Sequence, residues 1–218
     1  PLGHAAARDF DSPYFDRISQ SKIYVLMISN GHGEDLITLR VLEALHRIDP
    51  NISLEVFPLI GEGRIFDKAV ESGWITKIGP RNLLPSGGFS NQSFSGLTAD
   101  LRAGLIKRTW KQWQAIRELS NTRKIIIAVG DLLPLFFAWT SGCDFGFIGT
   151  PKSDYSWRSG PQYSFSDYYH KLKGTEWDPW EYALMKSKRC KLIVVRDKLT
   201  ARGLKGKGVI AYAPGNPM

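Results

Sequence analysis

The stretch KIYVLMISNGHGEDLITLRVLEAL, residues 22–45, sets the reading of the whole chain. Ile23–Ile28 is an unbroken apolar run rich in β-formers. It ends in Ser29-Asn30-Gly31-His32-Gly33-Glu34-Asp35, and apolar residues at helical spacing follow at once. A strand with no polar alternation is hydrophobic on both faces, which is the pattern of a parallel strand covered by helices on either side. Gly31 and Gly33 permit positive φ and close backbone approach. The helix that begins here presents free N–H groups at its amino end. The turn lacks the G-x-G-x-x-G spacing of a dinucleotide fingerprint.

The same unit recurs outward from this point. Further strands are expected at Leu54–Leu59, Trp74–Ile78, Lys124–Val129, Phe145–Ile148, Leu192–Val195 and Val209–Tyr212. Helices are expected at Glu34–Ile48, Arg64–Ser72, Thr98–Ser120, Leu132–Ser141, Trp177–Ser187 and Lys198–Lys205. Strands alternating with helices predict an α/β fold, doubly wound around a mostly parallel, Rossmann-like sheet. In such sheets ligands lie beyond the carboxyl ends of the strands. That singles out the Gly-His-Gly turn, IGEGR, VGDLLP, IGTPKSDYSW and RDKLT, each just after a strand. Two stretches, 81–96 and 152–180, read as long irregular segments. The second is dense in Tyr and Trp and is expected to be an ordered, site-forming loop.

The formal charge of +8 favours an anionic partner: a phosphorylated substrate, an anionic membrane surface or nucleic acid. Nucleic acid is the weakest of these, because the cations are spread along the chain and no recognised motif accompanies them. No apolar run approaches the roughly 20 residues of a membrane span. Cys143 and Cys190 have no motif spacing and read as reduced and structural, which suits the cytoplasm. His4, His32, His46 and His170 are scattered, so no metal site is expected, and no G-x-S-x-G elbow is present. The opening PLGH lacks a methionine, so residues 1–21 are expected to be a tag remnant and a flexible lead-in.

Four groups of residues could carry chemistry. His32 lies over the ligand edge, and its pKa near neutrality lets an imidazole accept a proton from a hydroxyl. Asn30, Gly31, Gly33 and Glu34 surround it, and Glu34 or Asp35 could orient the ring or simply cap the helix. Asp131 follows a buried strand and could serve as base, as anchor for a hydroxyl, or only as N-cap of the next helix. Lys152, Asp154, Tyr155, Trp157 and Arg158 combine charge with flat aromatic surface, which suits sugars and phosphates, although aromatics here could also be core. The basic helix around Leu105, Ile106 and Trp110 could lie on an anionic membrane or be an ordinary solvated face.

Taken together, SNGHGEDLITLRVLEAL, VGDLLP, FIGTPKSDYSWRSGP and APGNPM resemble the amino-terminal half of lipid-A-disaccharide synthase-like glycosyltransferases. The resemblance is strongest to the lipid-A-disaccharide synthase-related proteins of cyanobacteria, and it runs from Ile23 to Met218. It implies a GT-B enzyme in which this half, residues 22–213, binds the acceptor. A second half, absent here, would bind a nucleotide-sugar, most simply a UDP-sugar, and no cofactor is implied. Gly215-Asn216-Pro217 matches the family's crossing into that donor half, so 214–218 reads as the start of a linker. Arg196, Gly215 and Asn216 then face the donor side. Two motifs depart from the synthase: its Gly-Glu-x-x-Gly-Asp turn is replaced by a Gly-His turn, and its Asp-x-Pro is one residue longer here, Asp131 to Pro134. A Gly-His turn is similar to that of the transferases making peptidoglycan lipid intermediates and galactolipids, where the histidine lies at the acceptor site. The resemblance thus implies transfer to a lipid or amphiphilic acceptor by an enzyme held peripherally on the cytoplasmic face of a membrane, with His32 and Asp131 catalytic. The alternative is a transferase-like domain kept as a non-catalytic scaffold or binding module at a membrane.

Overall fold

The computed structural model describes residues 23–79, 105–118, 124–158 and 165–215. Its elements, in order, are β1 (Tyr24–Ser29), α1 (His32–Ile48), β2 (Ser53–Pro58), a 3-10 turn (Arg64–Phe66) running into α2 (Asp67–Glu71), and β3 (Ile75–Lys77). They continue with α3 (Leu105–Glu118), β4 (Lys124–Gly130), α4 (Leu132–Thr140), β5 (Phe145–Gly149), α5 (Asp154–Arg158), α6 (Phe165–Lys173), α7 (Pro179–Met185), β6 (Cys190–Val195) and α8 (Lys198–Lys205).

The six strands form one sheet in the order β3-β2-β1-β4-β5-β6, and every pairing is parallel. This is the doubly wound α/β architecture expected from the apolar runs. Side chains alternate across the sheet, so each strand feeds two cores. Leu26, Ile28, Ile126, Ala128, Phe145, Phe147, Ile193 and Val195 belong to one core, which Ile116 of α3, Leu135 and Phe137 of α4 and Met185 of α7 complete. Val25, Met27, Leu54, Val56 and Val129 belong to the other, under Ile37 and Leu42 of α1 with Phe66 and Ala69.

Several expectations change. The seventh strand, Val209–Tyr212, shrinks to a single parallel bridge between Tyr212 and Val194. Val209, Ala211 and Ala213 face the core while Ile210 and Tyr212 are exposed, and Pro214 has no N–H to extend the pairing. The helix expected from Trp177 starts instead at Pro179, because Asp178 and Glu181 form a reciprocal capping box with proline at the first helical position. Trp177 turns inward and is fully buried. The stretch 152–180 is not simply irregular: it contains α5 and α6, helices too short for their periodicity to stand out from sequence. The stretch 81–96, expected to be irregular, the first 21 residues and the ends of the helix expected over Thr98–Ser120 lie outside the described residues.

Trp177 explains a glycine. Its ring meets Phe147 edge-on with centroids 5.6 Å apart, and a Cβ at Gly149 would lie 2.6 Å from its Cζ2. Gly149→Ala is therefore an overpacking substitution and should cost about 1–3 kcal/mol, measured by urea unfolding. A cost near zero would mean that the indole can move aside.

Candidate active site at the strand-order reversal

Strand order reverses between β1 and β4, and the carboxyl-terminal edge at such a reversal is where doubly wound sheets take ligands. β1 and β4 are in register, Ser29 beside Val129, so Asn30-Gly31 and Gly130-Asp131 emerge side by side.

Gly31 precedes α1 with φ 124° and ψ −167°. Only glycine occupies that region without strain, so one glycine in the opening turn is conformationally required. Gly31→Ala should cost about 1–3 kcal/mol, read as a lowered denaturation midpoint. Gly33, expected to serve the same purpose, does not: its φ is not positive, and an added Cβ would meet nothing within 4 Å. It is helical because α1 already starts at His32, two residues earlier than predicted. The turn is pinned from below, where buried Ser29 Oγ donates to buried Asp35 Oδ1 at 2.5 Å. Asp35 thereby anchors the helix start.

Above that anchor four polar residues converge. Asn30 Nδ2 donates to Asp131 Oδ1 at 2.8 Å, and the Leu133 N–H donates to the same oxygen at 3.0 Å. Thr150 Oγ1, just beyond β5, donates to Glu34 Oε1 at 3.1 Å, and its N–H donates to Gly130 O at 3.3 Å. Gly130 has φ 133°, and a Cβ there would lie 3.0 Å from Asn30 Cβ and 3.4 Å from Glu34 Cγ. Glycine at 130 thus lets the β1, β4 and β5 ends close on one another.

The Asp131 carboxyl is both cap and candidate base. Burial pushes its pKa above the ordinary aspartate value, while the Leu133 N–H and more distant Lys152 pull it back. The hydrogen bonds it accepts from Asn30 and Leu133 both fall on Oδ1. Asn30 must turn its amide nitrogen to the carboxylate, which points Oδ1 the other way. That oxygen is buried and has no hydrogen-bond partner among the described residues. A buried acceptor without a partner costs about 1–3 kcal/mol, so a water or a ligand group that donates to it is favoured here.

The remaining expected site residues divide. His32 is the first residue of α1 and so belongs to this edge; its side chain lies outside the described residues. Tyr155 is exposed on α5, and the side chains of Trp157 and Arg158 at the end of α5 are not described. Lys152 is engaged internally: its Nζ bonds Glu181, lies 3.4 Å from Asp178 Oδ2, and sits over the Trp177 ring. Asp154 is fully buried, and its Oδ1 accepts from Thr175 Oγ1 at 3.0 Å and Glu176 N at 2.7 Å. Both residues hold α5, α7 and the segment between them, so both charges are met by internal partners. Arg196 and Gly215 do meet, at a groove of about 450 Å³ between α1 and the ends of β5 and β6. Ile37, Val41, Ile148 and Val194 supply its apolar wall, and Thr150 joins it to the polar cluster. Asn216 lies outside the described residues. Thr150 is the member that sequence reading passed over. Its signal was position alone, directly after β5 in IGTP.

The fold and this edge define a Rossmann-like α/β domain with a polar switch-point cluster beside an apolar groove. Comparison with protein-family models, curated proteins and solved structures gives no match.

Proposed function

We propose that the domain binds the acceptor of a glycosyltransferase, as the resemblance to lipid-A-disaccharide synthase-like enzymes implies. The observation that carries this reading is the convergence of Asn30, Glu34, Asp131 and Thr150 at the strand-order reversal, with Asn30 Oδ1 buried and lacking a described partner. An acceptor hydroxyl donating to Asp131 Oδ2 would meet a carboxylate whose basicity burial has raised, and Asn30 would hold a neighbouring polar group of the sugar. As the hydroxyl oxygen attacks the anomeric carbon, the bond to the nucleotide diphosphate breaks and Asp131 takes the proton. His32, opening α1 beside it, is the alternative base. The groove between α1 and β6 offers apolar surface next to the polar cluster, which suits a lipid or amphiphilic acceptor. Arg196 at its rim is a cation for the donor side, where a UDP-sugar would be held by a second domain. The protein would then work peripherally at an anionic membrane on the cytoplasmic side. No helix among the described residues is long and apolar enough to cross a membrane.

One observation favours a second reading, a non-catalytic binding module: Asp131 also caps α4, a structural task it would keep without chemistry. Joined to a donor-binding half and supplied with UDP- and GDP-sugars and membrane lipid extract, the domain should yield a glycosylated lipid by mass spectrometry. Absence of any glycosylated product across that screen would favour the binding module.

A further inference from the structure

The groove beside α1 exists because the two faces of the sheet are covered unequally near β5 and β6. Leu135 of α4, Met185 of α7 and Leu204 of α8 all pack into the core opposite α1. α1 itself packs on β1, β2 and β4. Its Ile37 and Val41, one turn apart, therefore stand as a wall beside the ends of β5 and β6. The floor is Ile148 and Val194, paired neighbours in two parallel strands, which places both on one face. Val41, Ile148 and Val194 are only partly buried. The result is an apolar slot of about 450 Å³.

Charge selects what fits the slot. Arg196, the residue after β6, is the only charged residue that lines it. It is exposed, and its side chain makes no hydrogen bond or ion pair with another described residue. Lys152 and Lys173, by contrast, are each held by a carboxylate. The polar lining residue Thr150 spends its hydroxyl hydrogen on Glu34. A guanidinium in want of a partner beside an apolar slot matches a ligand with one hydrocarbon chain and one anionic end. The chain displaces water from wall and floor, and the anion takes the guanidinium N–H donors. Ligand clefts run from about 300 to 1,000 Å³, so a slot of about 450 Å³ suits one chain rather than two.

We infer that this groove binds a single-chain anionic amphiphile, its hydrocarbon chain along Ile37, Val41, Ile148 and Val194 and its anionic head on Arg196. The inference rests on the lipid-acceptor reading above. It narrows that lipid to one with a single chain in the slot and an anion beside it. It also gives Arg196 an anion that the domain can hold without a donor.

The test titrates hexyl, octyl and decyl phosphate, each below its micelle concentration, into the 218-residue chain by isothermal calorimetry, with no donor present. Affinity should rise about fourfold per methylene while the chain fits the groove. n-Octanol should bind at least about tenfold more weakly than octyl phosphate, and inorganic phosphate should show no measurable binding. Arg196→Gln should bring octyl phosphate down to the level of octanol. Val41→Glu, which sets a carboxylate in the wall, should abolish binding of both. Circular dichroism reports folding, and the exposed Arg196 keeps the test decisive if Val41→Glu fails to fold. No binding by the parent, octanol equal to octyl phosphate, an affinity indifferent to chain length, or an unchanged Arg196→Gln would overturn the inference. So would a parent dimer in sedimentation velocity that Val41→Glu dissolves, since a second copy would then fill the groove. Binding without any product in the sugar-transfer screen would sink the transferase reading and leave this one standing; transfer without alkyl phosphate binding would do the reverse.

Discussion

Replacing Asp131 by asparagine should lower sugar transfer by roughly two to four orders of magnitude, the usual worth of a positioned general base, while leaving the fold intact. Asparagine is the informative substitution because its amide oxygen can still accept from Leu133 N–H and from Asn30 Nδ2, the two bonds that Asp131 Oδ1 makes. The helix cap survives and only the basic oxygen is lost. Alanine removes both, and should add about 1 kcal/mol of instability from the missing cap. Transfer and unfolding measured on both variants therefore separate the two tasks of one side chain. The parent should also show a pH signature. Burial raises the Asp131 pKa, and a base must be ionised to act. kcat/KM should then fall on acidification through a pKa above the ordinary aspartate value of about 3.9, and that limb should vanish in the asparagine variant. Asparagine with near-parent transfer would leave Asp131 a cap and nothing more.

The second large effect is on stability rather than on transfer. Lys152→Met should destabilise the protein by about 3–5 kcal/mol at neutral pH, measured by urea unfolding. Lys152 stands between Glu181 and Asp178, and Glu181 is 1% exposed. Burial raises the Glu181 pKa, although the Asp178 N–H and Lys152 both work to keep it ionised. Burial also acts upward on Asp178, but hydrogen bonds and charge from Lys173 and Lys152 outweigh it and hold that carboxyl below the usual range. Removing the lysine leaves a buried carboxylate without its cation, and the cost follows from desolvation rather than from a lost attraction.

The sign of the pH dependence follows. An acid whose folded pKa is raised binds its proton more tightly when folded, so stability is lost as pH rises from the unfolded pKa through the folded one. Without Lys152 the folded pKa of Glu181 rises further, so the deficit should shrink as pH falls from neutral toward the acid range. Glu181→Gln in the same background should recover part of it. A deficit under about 1 kcal/mol, or one independent of pH, would mean that water already reaches Glu181.

Lys152 and Asp154 show what sequence reading of the site left open. Both follow β5 among aromatics, a pattern that fits a sugar or phosphate site as well as it fits a buried network. Nothing local distinguishes the two. The difference is made by Asp178, Glu181 and Thr175, which the chain brings back only after α6. Asp131 fared differently, because its place depends on β4 alone. A carboxylate one residue beyond a buried parallel strand lies at the ligand edge in any doubly wound order.

From the chain alone one could read the α/β class, the sites of all six strands, the bounds of α8 at Lys198–Lys205, and the ligand edge after each strand. These rest on apolar periodicity and turn chemistry, which act over a few residues. What tertiary structure alone decided is the strand order and the company each polar group keeps. Asn30 meets Asp131 across 101 residues of sequence, and Glu34 meets Thr150 across 116. Such pairings come from which strands lie next to one another, and side chains so far apart carry no mark of it until the sheet has closed.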